Sequence, residues 1–133
     1  MLPMAPERAR EIALDYHLTL EVLRTGLGNQ YHIGSMAQAT YMTMLLSQPE
    51  DRVARSELFH DAEEAILRCR KTGIETGVWV ADNEAYALLG KILTLFDQQL
   101  ATVIVYELMK ANERLKKIFS SKNVMRDSRV KTS

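Results

Sequence analysis

Apolar side chains recur at three- and four-residue intervals through most of the chain, and the pattern breaks at glycine and proline. Pro6 suits a first helical turn, with Glu7 and Glu11 favourable near its positive end. Ala9, Ile12, Ala13, Tyr16, Leu20 and Leu23 then form one stripe, with Arg10, His17, Glu21 and Arg24 opposite. "RTGLGN" ends this helix, because Gly26 and Gly28 accept the positive φ common at helix C-termini. A second helix is predicted from an N-cap at Ser35 to Pro49, with Met36, Met42, Met44 and Leu45 leaving almost no charged face. Such a helix is enclosed by others or by a second subunit.

A third helix opens near "PEDRV" on the stripe Val53 or Ala54, Leu58, Ala62, Ala65, Ile66 and Cys69, and Gly73 is expected to stop it. Its exposed row is Glu57, Asp61, Glu64 and Arg68. Asp82 caps a fourth, whose stripe runs from Ala85 through Leu100 and Leu108 to Ile118. Unbroken to Phe119, it would measure roughly 55 Å, more than a domain of this size needs. Two outcomes stay open: a bend near "DQQL", or a far half that packs on another copy. The expectation is an all-α antiparallel four-helix bundle over residues 1–119, followed by a basic, flexible tail over 120–133.

The connection "GIETGVWVAD" carries the only tryptophan. Ile74, Val78, Trp79 and Val80 together predict a plug folded onto one end of the bundle; exposed, Trp79 would anchor a partner instead. The two Thr-Gly turns look like one helix-stop device used twice rather than a repeat.

Composition fits this picture. The chain is 47% hydrophobic and 26% charged, which excludes disorder, and 133 residues suit one domain. A single cysteine, Cys69, forbids an internal disulfide and suits a reducing, cytoplasmic setting. The start "MLPMAPERAREI" does not read as a secretory leader, and "QLATVIVYELM" is too short for a membrane span. The charge balance of zero conceals a split. From Arg114 onward seven bases face one acid, a net +6, which leaves −6 on residues 1–113. Lys116, Lys117, Lys122, Arg126, Arg129 and Lys131 are therefore the candidate nucleic-acid contacts, while basic residues also complement a helix C-terminus.

Candidate chemistry is sparse. Glu57 and His60 form Glu-x-x-His, the di-iron spacing, but no second copy accompanies it, and a surface charge pair is the simpler reading. Gly26, Gly28 and Gly34 lack the strand and the Gly-Lys-Ser/Thr of a phosphate loop. Cys69, beside Arg68 and Arg70, falls on the apolar stripe and reads as core. His17 beside Asp15 and Tyr16 would need distant partners to act as an acid or base. Neither an enzyme, a cofactor nor a metal is called for. The expectation is a protein-binding module, self-associating as a homodimer through Met42, Leu45 and Leu108 on the second and fourth helices, with Trp79 as the other interaction residue.

"LRTGLGNQYHIGSMAQA" followed by "TGVWVADNEAYALLGKILTLFDQQL" resembles a group of small all-helical proteobacterial and phage-borne proteins, some labelled Fis-type regulators. The resemblance spans residues 10–110 and rests on the Thr-Gly turns, His32, Trp79 and Asp97 to Leu100. It implies an all-helical accessory protein with no catalytic residues. The helix-turn-helix that ends Fis-type regulators has no counterpart here.

Overall fold

The computed structural model describes residues 2–132, with side chains as far as Ser120. It is all-helical, with six helices among the described residues: α1 (Pro6–Arg24), α2 (Gln30–Leu46), α3 (Pro49–Ala54), α4 (Ser56–Thr76), α5 (Asn83–Thr102) and α6 (Val105–Thr132). Only two isolated backbone bridges, Pro3 to Ile104 and Gly28 to Trp79, supplement them among these residues.

α1 ends as predicted. Gly26 takes φ 78°, and the Leu27 N–H reaches back to the Val22 carbonyl at 3.3 Å. α2 begins five residues before the expected cap. Asn29 accepts from the Tyr31 N–H at 2.9 Å, and His32 Nδ1 accepts from the Asn29 N–H at 3.0 Å, closing a reciprocal capping box. His32 fills the place usually held by Glu or Gln, so the motif escaped the sequence pattern. Gly34 therefore lies inside a helix, and the three-glycine loop does not exist.

α2 is surrounded by α1, α4, α5 and α6 of its own chain, which accounts for its missing charged face. Thr40 and Thr43 on it and Ser47 just past its end are buried, and each hydroxyl donates to the carbonyl four residues earlier, at 2.7 to 2.8 Å. The Arg52 guanidinium meets the Met44 and Ser47 carbonyls at the end of α2.

The remaining boundaries correct the sequence reading. The third predicted helix is interrupted at Arg55, giving α3 and α4. α4 then runs through Gly73 and stops at Gly77, whose φ is 77°. Gly73 is small for another reason: a Cβ there would collide with the Trp79 ring. The fourth predicted helix breaks at Val103, beyond "DQQL". Thr102, Val103, Ile104 and Val105 are all β-branched, a run that lowers helix propensity. The N-terminal segment stabilises the extended turn, with the Met4 N–H on the Val103 carbonyl at 3.2 Å. α6 then folds back on α2, burying Ala111 and Leu115 and setting Phe119 edge-on to Tyr41 at 5.8 Å.

Two core clusters result. One joins Leu23, Ile33, Met36, Ala62, Cys69, Leu89 and Ile92. The other joins Met42, Phe96, Leu100, Val103, Ala111 and Leu115. Burial of these side chains contributes about 1.5–3 kcal/mol for each large one.

Candidate functional site

The predicted interaction residues are largely engaged inside the chain. Trp79 is half-buried against the first core, with its ring over Gly73 and its backbone bridged to Gly28. The Ala81 N–H bonds the Leu23 carbonyl at 2.9 Å. The two Thr-Gly turns thus lock together, and the indole seals them. Ile74 and Val78, expected in the same plug, are instead 65% and 48% exposed, Ile74 in the last turn of α4 and Val78 just past its Gly77 stop. Met42 is 4% exposed, and Leu45 and Leu108 pack around it in the second core. Lys116 and Lys117 are exposed, whereas Lys122, Arg126, Arg129 and Lys131 lie outside the described side chains.

His60 turns to Glu64 at 3.2 Å rather than to Glu57. Among the described residues no three His, Cys, Asp or Glu side chains gather as a metal site. Cys69 is buried, and that burial, followed by the Asp82 charge, pushes its thiol up. Arg68, drawn into a two-nitrogen contact with Asp82 at 3.2 Å, opposes this only in part.

The face where α1 meets α5 holds the richest side-chain geometry. His17 Nε2 lies 2.7 Å from Asp97 Oδ2, 80 positions apart in sequence. One turn on, the Tyr86 hydroxyl donates to Glu21 at 2.5 Å, Arg24 donates to the same carboxylate at 2.9 Å, and the Arg24 guanidinium lies over the Tyr86 ring. These bonds, Tyr86's first and then Arg24's, hold the Glu21 carboxyl below the usual carboxylate range. Glu21 in turn raises the Tyr86 hydroxyl.

Beside these two pins runs a groove of about 730 Å³ with Leu20, Leu58, Ala87 and Leu95 on its walls and Arg55 and Lys91 at its edges. Gly90 opens it: a Cβ there would meet nothing within 4 Å. Leu14 and Leu18, both more than half exposed, lie one turn from His17 and Glu21 on α1 and extend the apolar surface outward. The His17–Asp97 pair bonds no hydroxyl or thiol nucleophile among the described residues, so its geometry is that of a pin between helices.

The sequence reading singled out His17 and Asp97 separately without joining them. The available signal was the row His17, Glu21 and Arg24 at helical spacing, a polar face that turns out to pack on α5. No described helix is long and apolar enough to cross a membrane. Comparison with protein-family models, curated proteins and solved structures finds no match.

Proposed function

We propose that this chain is a non-enzymatic accessory or regulatory protein that works by protein–protein contact, receiving an apolar partner helix in the α1–α5 groove. The observation that carries this reading is the groove itself: apolar walls, charged edges, a side-chain-free floor at Gly90 and exposed leucines alongside. In this reading α1, α2, α4 and α5 are the rods of an antiparallel bundle, with α6 as a lid on α2. It needs no cofactor, and the single buried cysteine suits a cytoplasmic setting.

Gly90→Leu tests it. The new side chain fills open space and should leave the melting temperature equal or higher, because glycine is a poor helix former. A protein that co-purifies with the native chain should then be lost. Retention of that protein by a folded Gly90→Leu chain rejects the groove.

A second reading, a nucleic-acid-associated regulator, draws on α6. Its backbone stays helical to Thr132, so the bases from Arg114 onward lie along one rod. DNA binding that weakens steeply with salt, and disappears when residues 120–133 are deleted, is the expected result. Absence of binding at low salt with the tail intact rejects it.

A further inference from the structure

Among the described residues no helix packs over Leu67 on the outer face of α4, and its side chains follow an order that matches its own reverse. Leu67 stands at the centre, 54% exposed, and Ile74 lies two turns beyond it at 65%. At 100° per residue, His60, Glu63, Glu64, Arg70, Lys71 and Ile74 all fall within about 60° of Leu67. The two acids precede Leu67 and the two bases follow it. Glu63 and Arg70 share one flank of the row, and Glu64 and Lys71 share the other. Surface hollows adjoin Leu67 and Arg70 on both sides, one of about 340 Å³ reaching Tyr41 and Phe119, the other of about 320 Å³ reaching Ile74.

We infer that this face docks onto the same face of a second copy, antiparallel, with Leu67 against Leu67 at a two-fold axis. Reversing the helix about that axis sets Glu63 against the copy's Arg70 and Glu64 against the copy's Lys71. Each flank receives two opposite-charge pairs, and His60 faces the copy's Ile74. A parallel arrangement in register would put like charges together, so the charge order selects the antiparallel one. Arg70 and Lys71 make no ion pair among the described residues. Glu63 and Glu64 hold only exposed bonds, to the Tyr41 hydroxyl at 3.1 Å and to His60 at 3.2 Å, which solvent or a partner readily replaces. The face is distinct from the α1–α5 groove, since Leu58, the α4 residue that lines the groove, points to the opposite side of the helix.

Sedimentation velocity on the full chain over a range of concentrations tests this. The native chain should dimerise reversibly. Glu63→Lys with Glu64→Lys should raise the dimer dissociation constant by about tenfold or more, as should Arg70→Glu with Lys71→Glu, because each puts like charges together on both flanks. Glu63, Glu64 and Lys71 are exposed and Arg70 is half-buried at the rim of a hollow, and circular dichroism should match the native chain. Mixed one to one, the two charge-reversed proteins should form a heterodimer, which a merely misfolded variant would not. Gly90→Leu should dimerise normally, so this inference and the groove reading fail separately. A native chain that stays monomeric, a charge-reversed variant that dimerises as well as native, or a mixture that does not associate overturns the proposal. So does a chain ending at Ser120 that loses the dimer, because the occupant would then be the tail.

Discussion

Where α4 turns into α5, the first core is sealed by two turns locked together. The Trp79 ring lies on Gly73, Gly77 turns the chain, and Gly28 bridges to the Trp79 backbone. The other end has no such plug. Its core is closed by distant pieces of chain: the N-terminal segment paired with Val103 to Val105, and α6 laid across Met42. Polar groups share that end. Gln99 Nε2 donates to the Thr43 carbonyl at 2.9 Å and to Ser47 at 3.2 Å, while its Oε1 is buried without a partner among the described residues. The difference teaches that one end closes where two interhelical turns lock together, whereas the other waits for the last helix.

The largest expected effect separates the two cores directly. Leu89→Ala should cost about 2–5 kcal/mol and lower hydrogen-exchange protection throughout. Leu115, equally buried at 1% exposure, should cost about 2–3 kcal/mol as Leu115→Ala, with protection lost mainly in α6. Equal global loss in both variants would erase the distinction between a self-closed end and a lidded one.

Next in size is the indole seal. Gly73→Ala should destabilise by about 1–3 kcal/mol through overpacking against Trp79. In a Trp79→Ala background the same change should reverse sign and stabilise by about 0.5–1 kcal/mol, since alanine is the better helix former. Thermal melts of the four proteins read the cycle, and additive values would mean that the ring does not rest on Gly73.

Asp82→Ala should cost about 1 kcal/mol, because it removes the cap on the Ala85 N–H at 2.8 Å. The smallest effect is its pH dependence. That N–H bond first, and Arg68 second, hold the folded Asp82 carboxyl below its usual range. Its stabilisation is therefore complete above the unfolded value of about pH 4 and is lost as pH falls through the lower folded value. Denaturant titrations across that window should show a smaller acid loss for Asp82→Ala than for the native chain. An identical acid loss would remove Asp82 from the account.

Much of this was legible in the sequence. Helical spacing found the stripes of α1, α4 and α5, and the capping chemistry of Asp82 and Gly26 follows from residue type alone. The enclosure of α2 was also readable, because a helix without a charged face must be covered. Local rules misplaced three boundaries and missed the break at Arg55. His32 occupied a capping role usually given to Glu, Gly73 was small for packing rather than for turning, and the β-branched run at 102–105 broke a helix whose apolar stripe continued.

The sequence by itself determined that the chain is helical, where the apolar faces lie, and how charge divides between body and tail, because these depend on neighbours within about one helical turn. Only the tertiary structure decided that α6 returns to cover Met42, that His17 meets Asp97, and that α1 and α5 leave a groove open at Gly90. Those pairings join residues tens of positions apart, and periodicity within one helix carries no information about which other helix its face will meet.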